Sequence, residues 1–181
     1  MPDGDQVIPA LNRAIEYFRS RRWPIYASRD WHPADSRHFR AFGGRWPAHC
    51  VAGTPGAAFH ADLQLPADTI IISKGRDQTD DGYSAFGGAI GHGEGLVDDL
   101  NQRRIAHLYV GGLATEYCVL ASVIDARNAG FPVTVLVDAV TGIGRDDMRR
   151  AFEDMRAAGA VLAQSDELDS PAESHRNTST D

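Results

Sequence analysis

The sequence predicts an α/β fold, a three-layer α/β/α sandwich on a parallel sheet, and three observations carry that prediction. Short apolar runs of strand length, Ile105 to Val110 and Val133 to Val137, read as strands. A strand buried on both faces loses the in/out alternation of a half-exposed one. Segments with apolar residues at helical spacing alternate with these runs, which is the pattern of parallel crossover units. Finally, Asp30, Lys74, Cys118 and Asp138 each stand at the end of an apolar run, and open α/β sheets bind ligands at the carboxyl ends of their strands.

The elements follow in order. Residues 1–6 are polar; Ile8, Leu11, Ile15 and Phe18 then mark one face of a helix over 7–21, with Asp5 as its cap and Pro9 in its first turn. Residues 24–28 form a short strand. Residues 30–56 have no period and are rich in Pro, Gly, Trp and His; Trp31, Phe39 and Trp46 argue for an ordered, functional loop. Thr69 to Ser73 is β-branched, bounded by Pro66 and Gly75, and reads as a strand. A glycine-rich loop over 75–95 leads to a short helix at Leu96, Val97 and Leu100. The strand 105–110 enters a Gly-Gly turn and then a helix with Leu120, Val123 and Ile124 inward, closed by Gly130. After the strand 133–137 comes a helix over 147–158 and a last strand over 160–163. The domain spans residues 1–164, and 165–181 reads as a disordered polar and acidic tail.

The totals bound the function. A chain of 181 residues with net charge −7 makes one domain and lacks the basic surface that phosphate neutralisation needs, which excludes a general nucleic-acid binder. No run is long enough to span a membrane and no basic-then-apolar leader is present, so a cytoplasmic protein is expected. Cys50 and Cys118 then stay free thiols.

Two constellations carry chemistry. Cys118 falls in the first turn of its helix, where unpaired N–H groups and the positive dipole end favour a thiolate. It is a candidate nucleophile, set against the plainer reading of a small buried hydrophobe. Lys74 beside it would make the thiol more acidic and steady an oxyanion. Asp30 and His32, two apart in an extended segment, project to one side and can share a cation, with His38 and His49 in the same loop to complete the set. An Asp with imidazoles suits zinc, iron or manganese. The alternative is a set of unrelated surface histidines, as we read His60, His92, His107 and His175. Asp138 is read as the cap of the next turn.

Asp30-Trp-His-Pro33, the run Trp46 to Gly56, Ser73-Lys-Gly75, Tyr83-Ser-Ala-Phe86 and Gly111 to Cys118 together resemble the nicotinamidases of the isochorismatase-like cysteine hydrolases over about residues 5–164. The resemblance implies Cys118 as nucleophile with Lys74 as its partner. It implies Asp30, His32 and His49 as ligands of a divalent metal, zinc before iron or manganese, with His38 a further ligand in some members. Trp46, Tyr83 and Leu113 would line a pocket for nicotinamide, whose ring nitrogen the metal orients. A cis bond at Leu113-Ala114 would aim the N–H groups of Ala114 and Cys118 at the oxyanion. One motif is missing. The family's general base is an aspartate in a motif like Asp-x-Gln-Asn-Asp-Phe, closing a central strand between those at 24–28 and 105–110. Met1 to Gln6 hold no such strand. The expectation is a start upstream of Met1, in preference to a degenerate relative, and little activity from the chain as written. Two apolar edges in the middle of the sheet would then lack a partner and leave self-association open. Rival readings are another amidohydrolase of the same fold and a non-catalytic metal-binding relative.

Overall fold

The computed structural model describes residues 1, 3–91 and 93–169. Helix α1 (Ile8–Ser20) comes first, with Pro9 in its first turn; Val7 is its N-cap and Asp5 caps nothing. Strand β1 (Tyr26–Asp30) pairs in parallel with β2 (Ile70–Lys74). A two-residue hairpin, β3 (Ala89–Ile90) and β4 (Glu94–Gly95), adds antiparallel to β2. It lies inside the stretch expected to be loop, too short for any periodicity to show. Helix α2 (Leu96–Gln102) leads to β5 (Leu108–Leu113), which pairs in parallel with β6 (Val133–Thr141), and β6 with β7 (Val161–Ala163). Helix α3 (Leu120–Asn128) joins β5 to β6, and α4 (Arg145–Ala157) joins β6 to β7.

β6 shows why its run is continuously apolar. Val133 and Val135 face α3 and α4, in a cluster with Val123, Ala126, Ala151 and Met155. Leu136 and Ala139 face α1, against Ala10 and Ala14. Helices thus cover both faces, the three-layer arrangement expected of a buried parallel sheet. Among the described residues the strands form two hydrogen-bonded groups, β1 to β4 and β5 to β7, with β1 and β5 as their edges. A shared core of Tyr26, Ile72, Leu100, Ile105, Leu108 and Phe131 holds the halves together.

Ser165–Asp169, placed by the sequence reading in the tail, form a 3-10 turn. Asp138 accepts from the Ser165 N–H (2.8 Å) and hydroxyl (2.6 Å), and from Arg13 (2.9 Å). Asp138 therefore caps this turn and not the one that follows β6, a long-range partnership that no local pattern signals. Residues 170–181, the rest of the expected tail, lie outside the described residues, as do His92 and His175. No helix among the described residues is long and apolar enough to cross a membrane.

Candidate active site

Register builds the first half of the site. Asp30 and Lys74 are paired neighbours at the carboxyl ends of β1 and β2, so their side chains leave the same face of the sheet. Lys74 donates to the Asp30 carboxylate, to the Gly82 carbonyl (2.5 Å) and to Cys118 Sγ (3.3 Å). Lys74 is only 3% exposed. Burial works against its ammonium, but Cys118 and Asp30 beside it outweigh burial and hold its pKa above the usual lysine range.

Cys118 is not in the first turn of α3. It lies in a five-residue π-helical turn, Thr115–Val119, that precedes α3 and closes with Val119 N–H on the Ala114 carbonyl (3.1 Å). Single π turns are common at functional sites, where they re-aim one side chain. The Leu113–Ala114 peptide is cis, at the place the resemblance assigns. The thiol is not made acidic. Burial pushes its pKa up, and Asp30 adds to that; Lys74 and the Ala114 N–H pull the other way without overcoming it. Alkylation of Cys118 by iodoacetamide is therefore expected to be slow at neutral pH and to keep rising beyond the midpoint of an ordinary thiol. A midpoint below that of free cysteine would contradict this.

Glu116, which the sequence reading left without a role, anchors this turn. Its Oε1 accepts from the N–H groups of Ile143 (2.7 Å) and Gly144 (3.1 Å), just ahead of α4. Its Oε2 is buried without a partner, and a Cβ at Gly142 would overlap that oxygen. Gly142→Ala is expected to cost about 1–3 kcal/mol in thermal unfolding, the range for overpacking. It should lower kcat more than it changes KM, because it moves the turn that carries the thiol.

The histidines of the loop come together as a set. Ligand atoms of His32, His38 and His49 lie within 4.8 Å of one another, and the His32 and His38 rings stack at 4.7 Å. Each ring commits Nδ1 outward: His32 to the Gly75 carbonyl (3.1 Å), His38 to Asp81 (2.7 Å), His49 to the Pro47 carbonyl (2.8 Å). Those oxygens only accept, so each Nδ1 donates its proton and Nε2 is the nitrogen left for other partners. Outward Nδ1–H bonds of this kind fix the tautomer of metal-bound histidines. His32 is fully buried and its Nε2 has no partner. Burial, with His38 and His49 adding, lowers its pKa and keeps the ring neutral. An orphaned buried imidazole nitrogen facing two others fits a divalent cation. The four expected ligands do not form one group, however. Asp30 groups instead with His49 and Cys50, and one of its oxygens is engaged by Lys74.

Rings pack around this set. Trp46 Nε1 donates to Tyr83 Oη (2.8 Å), and Tyr117 lies edge-on to Trp46 (4.9 Å) and stacked on Tyr83 (5.8 Å). Trp46 in turn stacks on His38 (6.1 Å). Tyr117 was missed although it neighbours Cys118; the π turn aims it here. Leu113, expected to line the ring pocket, is 42% exposed, with its side chain lying toward Gly4; its cis peptide bond leads into the turn that carries Cys118. His60 and His107 stay on the surface as read.

Thiol, ammonium and imidazole set at the carboxyl ends of parallel strands define a class of hydrolytic α/β domain. The chain belongs to the isochorismatase domain family, whose model matches residues 1–167. It is 36% identical over 180 residues to the nicotinamidase of Escherichia coli (strain K12), covering 90% of this chain and 84% of that protein. It superposes on the pyrazinamidase of Pyrococcus horikoshii in complex with zinc with a TM-score of 0.84 and 42% identity, over 91% and 88% of the two chains. PnC1 from L. infantum in complex with nicotinate gives a TM-score of 0.79 at 30% identity, over 91% and 82%.

Proposed function

We propose that this chain is a nicotinamidase, a cysteine amidohydrolase converting nicotinamide to nicotinate and ammonia. The observation that carries the reading is a chain of neighbours: Lys74 donates to Cys118 Sγ and to Asp30, and a ligand atom of Asp30 lies within 4.8 Å of one of His49. Nucleophile, cation and imidazoles thereby share one end of the sheet. The E. coli and L. infantum relatives support the substrate.

The chemistry follows from the side chains. The Cys118 sulfur attacks the carboxamide carbon and its proton leaves to solvent. The N–H groups of Ala114 and Cys118 hold the oxygen that takes up charge. Lys74, kept protonated, is the proton donor nearest the adduct as it expels ammonia and leaves a thioester on Cys118. Water then attacks that thioester, releasing nicotinate and restoring the thiol. Trp46, Tyr83 and Tyr117 supply flat apolar surface for the ring. His32, His38 and His49, with Asp30 nearby, would hold a divalent ion, and zinc is supported by the P. horikoshii structure. Bound there, such an ion supplies a Lewis acid that orients the ring nitrogen.

Among the described residues Asp30 is the only carboxylate hydrogen-bonded to Lys74, and none is hydrogen-bonded to Cys118. The test is ammonia release from nicotinamide at enzyme concentrations near that of the substrate. Release that chelation abolishes is expected. Release that survives both chelation and Cys118→Ala would overturn the proposal.

A further inference from the structure

The arginines of α4 differ in what holds them. Arg150 is tied to Asp147, and Arg149 is shared between Glu153 (3.3 Å) and Asp146 (3.8 Å). Arg145 and Arg156 have no side-chain partner among the described residues, although Asp and Glu number 25 against 18 Lys and Arg in this chain. Positions 145, 149, 152 and 156 fall on one helix face. There the three guanidiniums rim a cavity of about 340 Å³. Met148 and Phe152 of α4 form its floor with Val137 of β6 and Leu162 of β7, the outer strand of its group. All four floor side chains are only part-buried. The one acid in the lining, Glu153, is engaged by Arg149. Met148 also ties this cavity to the catalytic turn. A Cβ at Gly142 would strike both Met148 Cγ and the Glu116 carboxylate, so Gly142 is packed between the two, and Glu116 stands two residues before Cys118.

We propose that this cavity is an effector site for small aromatic acids, separate from the catalytic centre and coupled to the turn that carries Cys118. The lining argues for that class of ligand. A guanidinium matches a carboxylate with two parallel hydrogen bonds, and two of the three here are free to make them. The floor offers apolar surface, with Phe152 as the ring on which an aromatic body packs. A ligand with both features drives water from that floor and pairs the free cations together. An inorganic anion would leave the floor wet, and an uncharged ring would leave the cations unpaired. The volume lies within the range of small-ligand pockets, about 300–1,000 Å³. A ligand seated against Met148 bears on Gly142, and through it on Glu116, whose Oε1 fixes the chain just ahead of α4. Binding makes and breaks no covalent bond, and the site stands apart from any reading of what Cys118 does in catalysis.

Cinnamate is the probe, and cinnamyl alcohol is its uncharged counterpart. The chain has three methionines. Met148 lines the cavity, whereas Met155 is fully buried in the core and Met1 lies beside Gly4. The full chain, with isotope-labelled methionine methyl groups, is titrated with each compound and read by NMR. The expected result is a saturable shift of the Met148 methyl with cinnamate, with Met155 and Met1 unmoved and no saturable shift with the alcohol. In Arg145→Gln/Arg156→Gln, which removes no ion pair, cinnamate should bind at least about tenfold more weakly. The coupling is read at the thiol. Cys50→Ser leaves Cys118 as the sole cysteine, and cinnamate should change its rate of alkylation by iodoacetamide at least about twofold. That change should vanish when the two arginine substitutions are added, which separates it from cinnamate lodged beside Cys118. No saturable shift at Met148, an equal shift with the alcohol, or full affinity in the arginine variant would overturn the site. Binding at Met148 without an arginine-dependent change at Cys118 would overturn the coupling.

Discussion

Cys118→Ala is expected to lower ammonia release from nicotinamide by at least about 10⁴-fold, with metal content and melting temperature near those of the parent. The size follows from what the sulfur does. In the proposed mechanism it is the atom that bonds to the carboxamide carbon, and loss of a covalent nucleophile leaves only the rate due to binding and oxyanion stabilisation. The small stability change follows from the packing. The Cys118 side chain fills little volume, and the turn around it is set by the Val119 to Ala114 hydrogen bond and by Glu116, neither of which the substitution touches. Cys118→Ser should be nearly as slow, because a hydroxyl beside Lys74 ionises far less readily than a thiol. Rates within tenfold of the parent for either variant would remove Cys118 from the chemistry.

His32→Ala is expected to lose divalent metal and activity together, with metal affinity down by more than about 100-fold, since in the proposed site it deletes a direct ligand rather than an outer partner. The ring is buried, its Nδ1 is committed to Gly75, and its Nε2 has nothing else to bond. The variant also leaves the Gly75 carbonyl without that donor, a stability cost of about 1–3 kcal/mol. Gly75→Ala gives a second route to the same outcome. Gly75 has φ 63, and a Cβ there would strike the His32 imidazole. Metal content by elemental analysis, with melting temperature alongside, separates ligand loss from unfolding. A His32→Ala protein that retains a full complement of metal would show that the imidazole set is structural.

Much of this site was legible because its residues follow strands. A carboxylate at the end of β1 and a lysine at the end of β2 are brought together by parallel register alone, so position in sequence was enough to pair Asp30 with Lys74. The loop histidines were legible by number and company, and the structure gathers His32, His38 and His49 as a set. What was not legible depended on contacts far apart in sequence. Nothing local marks Asp138 as the partner of Ser165 and Arg13, or Asp81 as the partner of His38. Asp30 is held by Lys74 and lies outside the group that His32, His38 and His49 form, a placement that spacing does not decide. The acidity of Cys118 was misjudged for a related reason. Position near a helix start and a lysine argued for a thiolate, but burial costs the charged sulfur more than those neighbours return. The α/β class was plain from the apolar runs. The separation of the strands into two hydrogen-bonded groups at β1 and β5 falls where the motif comparison put an unpartnered place in the sheet.

The most direct test of a thiol that acylates at this site is the intact mass of the full chain, acid-quenched during turnover of nicotinamide and then digested. One nicotinoyl group on the peptide carrying Cys118, absent from Cys118→Ala and gone once substrate is exhausted, is the expected result. Ammonia release with no acyl group on that peptide, or with the group on Cys50 instead, would contradict it.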